Sequence, residues 1–345
     1  MPTAPWLSIL IATFNRANDL DRCVSSVLAE PEDFFEVIIG DDASPDHTPQ
    51  IVAKYQQDSR VRCYRNQVNL GMQENYWKIV HLARGEYIFI LTDDDYLLPG
   101  AFERVARVIR AHPEVGYILS HLPSMDERTR QVVDLHRTFS DDILVQPSIA
   151  AMTRLVRSAW VLSRQVLKRE LIDWETWEHF KRNIFFPIIW TGRLLLRAPM
   201  YYIADTLVMH TFFNKVYWNA FGPNELEIEF NLAADRYQCM RAILHDYSRT
   251  PEVNHAISVW QTNSLKSYLY APHSGFYDLL KTRGIRYGAR KLLDSCELDR
   301  PQRGELLLFP FKIPFVRALV NAKQLVRRFA PSIVTKVRSF QSRTR

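Results

Sequence analysis

The sequence predicts an α/β protein, a doubly wound and mostly parallel sheet flanked by helices, with a helical C-terminal extension. Three observations carry that prediction. Over about the first 120 residues, short apolar runs alternate with helical patterns, as βαβ units do. Three of those runs end abruptly in polar clusters, at Thr13–Arg16, Asp41–Asp42 and Asp93–Asp95. In an open parallel sheet such exits share one edge, and that edge is where ligands bind. From Asn224 onward, apolar residues recur at helical spacing and the strand pattern is lost.

The elements follow in order. Leu7–Ala12 is a buried-strand run with a polar exit, and Asn18 or Asp19 is placed to cap the helix carrying Leu20, Val24, Val27 and Leu28. Phe35–Ile39 is a second strand, a short helix over Pro49–Tyr55 follows, and Val61–Tyr64 is a third strand. Asn66–Met72 is a loop by its Asn and Gly content, leading into a helix over Gln73–Ala83 that Gly85 ends. Tyr87–Leu91 is a continuous apolar run, suited to a strand buried on both faces. Such a strand excludes three adjacent acids, so Asp93, Asp94 and Asp95 belong just past its carboxyl end. Pro99 fits the first turn of a helix over Gly100–Arg110, and Val115–Leu119 reads as another strand. Ser158–Ser163 reads as a strand closing the second half, and Met200–His210 as a hairpin-like edge. Leu226–Leu244 and Val253–Leu269 read as amphipathic helices, suited to packing on the first domain or to an oligomer interface.

The chain has 345 residues, 47% of them hydrophobic and 24% charged, with a formal charge of +6. That is ordinary for a soluble globular protein with ample length for a core. Cys23, Cys63, Cys239 and Cys296 show neither metal-ligand spacing nor a dense framework, which suits a reducing, cytosolic setting. Trp6–Ala12 lacks the basic leader of a signal peptide, and no uninterrupted apolar run is long enough to span a bilayer.

Clustered carboxylates repel one another unless something positive neutralises them. At a strand end, hard oxygen ligands suit Mg²⁺ or Mn²⁺ that also holds a phosphorylated substrate; the alternative is a solvated acidic turn. Taken in order, Ser8–Arg16, Glu36–Thr48 and Asn69–Phe102 resemble the nucleotide-binding half of family 2 glycosyltransferases of GT-A fold, a match over about residues 6–120. The resemblance implies that Thr13, Asn15 and Arg16 border the nucleoside. It implies that Asp41 or Asp42, with Asp42 preferred, accepts from the base, and that Asn69, Gly71 and Asn75 approach the donor. Asp93 would lie near the ribose, and Asp94 would hold the metal that bridges two phosphates. The usual Asp-x-Asp motif has its first acid where this chain has Thr92, which leaves the division of roles among Asp93, Asp94 and Asp95 open. The spacing also resembles the abequosyltransferase-like subset that builds O-antigen.

An inverting transfer also needs a carboxylate to take the proton of the acceptor hydroxyl. Family members carry an acidic pair at a helix start, where this chain reads Asn183–Trp190 with no acid. Glu178 is the preferred base, with Glu175 and Asp173 beside it; the competing reading is a solvated helix face. His210 stands near the place where the family has a metal-ligating histidine, against a structural role beside an apolar strand. Phe212, Phe213, Tyr217, Trp218 and Phe221 are an aromatic stretch for packing, or for stacking on sugar or lipid.

After Glu305 the chain has no further acid, while lysines and arginines accumulate over an apolar pattern at helical spacing. A basic amphipathic tail over 305–345 fits an anionic membrane surface; the rival is a packed terminal helix. The organisation expected is therefore a catalytic domain over 1–222, a helical extension over 223–304 and the tail. Within the catalytic domain, 1–120 would bind a nucleoside-diphosphate sugar and 121–222 a lipid-linked glycan acceptor, at the inner face of the membrane. A nucleotidyltransferase usually has a glycine-rich phosphate loop after its first strand, and Ala12–Arg16 has no glycine. A non-catalytic sugar-binding protein stays open because the base motif is absent. A nucleic-acid binder is disfavoured, since the tail has no matching fold signature.

Overall fold

A computed structural model describes residues 5–134, 137–181, 183, 185–212, 239–248 and 250–270, with side chains 160, 212 and 262–270 left aside. The Asn224 region, the aromatic stretch past Phe212, Cys296 and the basic tail lie outside the described residues. By contacts the chain divides into one unit of residues 1–220 with 239–257, and a second of 221–238 with 258–345.

In chain order the elements are β1 (Leu7–Thr13), α1 (Ala17–Leu28), β2 (Phe35–Asp41), α2 (Thr48–Tyr55), β3 (Val61–Arg65), α3 (Met72–Leu82) and β4 (Tyr87–Ile90). Next come β5 (Tyr96–Leu97), α4 (Ala101–Ala111), β6 (Tyr117–His121), β7 (Ser124–Asp126), β8 (Val132–Val133), β9 (Ile143–Val145) and α5 (Ile149–Leu155). The rest are β10 (Gln165–Lys168), α6 (Trp174–Phe180), α7 (Phe186–Arg197), β11 (Met200–Thr206), β12 (Val208–Phe212) and α8 (Pro251–Tyr270).

The main sheet has eight strands in the order β3-β2-β1-β4-β10-β6-β11-β9. β3, β2, β1 and β4 are mutually parallel, while β10 runs antiparallel to both β4 and β6. Every residue of β1 and β2 is buried, as strands with helices on both faces must be. On one face Leu20, Val24 and Val27 of α1 and Phe102, Val105 and Ile109 of α4 join Ile9, Val37 and Phe89 in one core. Phe102 sits edge-on to Phe35 with ring centroids 4.8 Å apart. Burying each such side chain contributes about 1.5–3 kcal/mol. α3 covers the other face, and Gly40 lets it approach: a Cβ there would stand 2.5 Å from Ile79 Cγ2 and 2.8 Å from Asn75 Oδ1.

A second sheet, in the order β5-β12-β7-β8, sits beyond the acidic turn. Among the described residues no helix is long and apolar enough to cross a membrane.

The doubly wound α/β class stands as expected, and three local readings are corrected. Ser158–Ser163 is not a strand: it forms two short 3-10 segments, and β10 occupies the next four residues. Short apolar runs suit buried helical turns as well as strands. β11 and β12 do not form a hairpin; β11 pairs with β6 and β9, β12 with β5 and β7, and the chain changes sheet at Leu207. Neither Asn18 nor Asp19 caps α1; the Ala17 N–H donates to Asp46 Oδ2 at 3.2 Å.

Candidate functional site

Three strand exits meet at the carboxyl edge. The Asp42 N–H donates to the Thr13 carbonyl at 3.0 Å, and the Leu91 N–H to the Leu10 carbonyl at 3.1 Å, so the exits of β2 and β4 are tied to β1 between them. Asn15 and Ala43 adopt positive φ of 57° and 61° in the two turns. That costs about 1–3 kcal/mol for each L-residue and clusters at functional sites. The Asn15 N–H donates to Ser44 Oγ at 2.9 Å and holds the turns together.

At the centre are the three acids. Arg16 Nη1 donates to Asp93 Oδ1 at 3.0 Å and to Asp94 Oδ2 at 2.8 Å. Asp95 is fully buried; it accepts from Thr92 Oγ1 at 2.8 Å and from the Thr211 N–H at 2.8 Å, and His210 Nδ1 lies 2.9 Å from its Oδ1. The Asp94 carbonyl accepts from Arg22 Nη2 at 2.8 Å and from Thr211 Oγ1 at 2.5 Å. Ser163 Oγ, just before β10, accepts from the Thr92 N–H at 2.9 Å.

Burial chiefly pushes the Asp93 pKa up, to about 7, with Arg16 opposing and Asp94 adding to the rise. Burial and then Asp95 raise that of Asp94, again against Arg16. For His210, burial favours the neutral ring, but hydrogen bonding and charge from Asp95 outweigh it and raise the pKa above 6.5.

Among the described residues no three His, Cys, Asp or Glu side chains form a metal cage. A Mg²⁺-type ion needs none, because it takes one or two carboxylates and completes its shell with water and substrate phosphates. Asp93 and Asp94 fit that demand: two hard carboxylates already converge on one cationic nitrogen. Asp95 spends its oxygens on Thr92, Thr211 and His210, so it orients His210 beneath the pair.

The other candidates lie at the exits of β1 and β2 and in or just after the loop that follows β3. Asp42 holds the loop after β3: it accepts from Asn66 Nδ2 at 2.7 Å and from the N–H groups of Leu70 at 2.9 Å and Gly71 at 2.8 Å. Asn69 Oδ1 also accepts from the Gly71 N–H, whose φ of 88° suits glycine. Asn75 donates to the Gly40 carbonyl at 2.7 Å. Asp41 pairs with Arg65 and accepts from the Ser44 N–H at 2.9 Å. Thr13 is buried at the end of β1.

α6 stands apart from these. Its Trp174 and Trp177 pack on Trp77 of α3, and Trp177 on Trp190 of α7. Asp173 caps α6 through the Thr176 N–H and pairs with Arg193 at 2.6 Å and Arg197 at 3.0 Å. Glu175 and Glu178 are exposed, and Glu178 pairs with Lys181. Among the described residues, no hydrogen bond or ion pair joins α6 to the acidic turn. Sequence reasoning passed over Arg22, Ser163, Thr211 and Asn66. Asn66 alone carried a local signal, its place in the Asn-rich loop.

The model of "Glycosyl transferase family 2" matches residues 8–169. An uncharacterized glycosyltransferase of Methanocaldococcus jannaschii is 30% identical over 210 residues, 56% of this chain and 71% of that protein. An uncharacterized protein of Mycobacterium tuberculosis is 34% identical over 115 residues, 33% of this chain and 35% of that protein. A match of about a third of the relative's length is repeated in a Mycoplasma pneumoniae protein named as a glycosyltransferase, 38% identical over 103 residues, 29% of this chain and 34% of that protein. Among solved structures, S. aureus TarS 1–349 with UDP-GlcNAc has a TM-score of 0.60 at 15% identity, covering 84% of this chain and 80% of that one. The same protein with UDP has a TM-score of 0.59 at 17% identity, covering 90% and 87%. These likenesses show the fold, which is of the GT-A type.

The raised pKa of Asp93 has a direct consequence. Between pH 3.8 and about 7 the folded carboxyl keeps a proton that the unfolded one has lost, so folding stability falls as pH rises through that window. In metal-free buffer, Asp93→Asn should flatten this slope, gaining several degrees on the wild type toward the upper end. Parallel melting curves for the two proteins across the window would refute the assignment.

Proposed function

The chain belongs to glycosyl transferase family 2, and from that premise we propose that it moves a sugar from a nucleoside-diphosphate donor to a hydroxyl of a lipid-linked glycan. The observation that carries the reading is the buried Asp93–Asp94 pair held by Arg16 where the exits of β1, β2 and β4 converge. The donor nucleoside lies across Thr13, Asn15 and the loop that Asp42 and Asn69 shape, with the diphosphate at Asp93 and Asp94. The complexes of TarS, a protein of like fold, with UDP-GlcNAc and with UDP support a nucleotide sugar.

The chemistry is an inverting displacement. The acceptor oxygen bonds to the anomeric carbon, the bond from that carbon to the diphosphate oxygen breaks, and the hydroxyl proton passes to a carboxylate, for which Glu178 is the choice. A Mg²⁺ or Mn²⁺ ion, when bound at Asp94 with Asp93, supplies Lewis-acid stabilisation to the leaving diphosphate. Arg16 is the chain's own cation there, positioned to turn from the carboxylates to the phosphates. Asp95 fixes His210, and Thr211 and Arg22 fix the backbone beneath Asp94.

The finer placement rests on the sequence. Resemblance to the abequosyltransferase-like subset supports cell-surface polysaccharide as the product. The acid-free tail after Glu305, basic over an apolar helical pattern, supports attachment to an anionic membrane at its inner face.

Three measurements test this. UDP, GDP, CDP and dTDP, each with and without Mn²⁺, should reveal one nucleotide that stabilises the fold by about 2.7 kcal/mol at a hundredfold excess over its Kd. That gain should need the metal and vanish in Asp94→Ala; no shift with any nucleotide would favour a non-catalytic binder. Glu178→Gln should stop transfer with donor binding retained, and an active variant would redirect the base to Glu175 or Asp173. Deleting the chain after Phe309 should release the protein from anionic liposomes, and continued sedimentation with them would remove the membrane reading.

A further inference from the structure

Arg164 leads into β10 and is only 2% exposed. A guanidinium is always charged, and a buried charge is ordinarily paired. This one is not. Its Nε donates to the Ser120 carbonyl at 2.9 Å and its Nη2 to Thr138 Oγ1 at 3.1 Å, both neutral acceptors. Among the described residues no carboxylate comes within ion-pairing distance of it, and Nη1 donates to nothing. The contrast with Arg193 is instructive. That side chain is 3% exposed, yet it pairs with both Asp173 and Asp246. The fold can therefore supply counter-charges to a buried guanidinium, and at Arg164 it does not.

A second unsatisfied group stands nearby. His121 ends β6, is 4% exposed, and its buried Nδ1 makes no hydrogen bond. Asp134 Oδ1 lies 3.6 Å from that nitrogen and is itself engaged by Arg137 at 2.7 Å. Burial, with the charges of Arg137 and Arg164, favours the neutral ring against the pull of Asp134. The groups near enough to act on Arg164 are the hydroxyls of Tyr117 and Tyr202 and, after them, the Asp134 carboxylate, which lies beyond ion-pairing distance and is held by Arg137.

The place matters as much as the charge. β10 lies between β4 and β6. The preceding residue, Ser163, is hydrogen-bonded to Thr92 at the root of the acidic turn. With strands about 4.8 Å apart, Arg164 and His121 stand one and two strand spacings from the exit of β4. They are on the side away from β1 and β2, where the donor nucleoside is placed.

We propose that Arg164 and His121 form an anion-binding subsite on the acceptor side, which seats a phosphoryl group carried by the acceptor close to the hydroxyl that is glycosylated. A phosphoryl group offers several acceptor oxygens, enough for the open Nη1, the second hydrogen of Nη2, and His121 Nδ1 in the tautomer that donates. The word acceptor rests on the glycosyltransferase reading; the anion site does not.

The test uses the full chain with UDP saturating, so that phosphate cannot register at the donor site. Inorganic phosphate, methyl phosphate and dimethyl phosphate are titrated in turn, the last two standing for a monoester and a diester on the acceptor. At least one should bind, and Arg164→Met should weaken it at least tenfold while UDP affinity stays unchanged. Because an unpaired buried charge is removed, Arg164→Met without phosphate should melt no lower than wild type. His121→Gln should weaken the same probe severalfold and provides the readout if Arg164→Met does not fold. Failure of all three probes, or a lower melting point in Arg164→Met with phosphate binding intact, would overturn the subsite. If phosphate binds only when UDP is absent, the donor site explains it and the subsite falls. Loss of UDP binding beside an Arg164-dependent phosphate response would sink the donor reading and leave the subsite standing.

Discussion

The structure depends on accommodating three carboxyl groups at the rim of an apolar sheet. Asp93, Asp94 and Asp95 are each at most 9% exposed, where isolated ionised groups are costly. They are handled in two ways. Asp93 and Asp94 share one guanidinium nitrogen. Asp95 takes hydrogen bonds from a neighbouring hydroxyl and a backbone amide, together with the imidazole of His210. Elements far apart in sequence are recruited for this: the turn after β1, Ser163 acting through Thr92, and β12. The second sheet thereby acquires a purpose, since β12 carries His210 and Thr211 to the underside of the acids.

The exit of β2 follows the same logic with opposite means. Asp42 is held by three donors from one loop, so its charge organises backbone instead of attracting a cation. The loop's shape, and hence the wall proposed to meet a nucleoside, hangs on one side chain. This also divides the labour between adjacent acids: Asp41 fixes the turn through Arg65 and Ser44, and Asp42 fixes the loop beyond it.

Much of this was legible in the sequence because strands buried on both faces must be apolar throughout. Asp41 and Asp93 therefore had to mark strand ends, and the parallel order placed those ends together. What remained hidden was of two kinds. Partnerships across long separations, such as Asp95 with His210 or Thr92 with Ser163, leave no local pattern. Segments whose burial is symmetric are ambiguous, which is why Ser158–Ser163 read as extended when it forms 3-10 turns. The unpaired Arg164 was equally invisible, because a sequence shows a charge without showing what is absent around it. The acid-free start of α7 was plain from the sequence, and the structure adds that Phe186 and Trp190 fill that place with packed rings.

The antiparallel strand β10 carries a consequence for how the molecule is made. It joins β4 to β6, yet it arrives at residue 165, long after β4 closes at Ile90 and β6 at His121. During synthesis, which proceeds from the N-terminus, the inner edge of β4 stays unpaired and β6 has no partner in the main sheet until that strand emerges, since β11 begins only at Met200. Open edges invite pairing with other chains. Residues 91–164 thus form a stretch during which the nascent protein is exposed to aggregation, and the acidic turn gains its Ser163 anchor only when that stretch has passed.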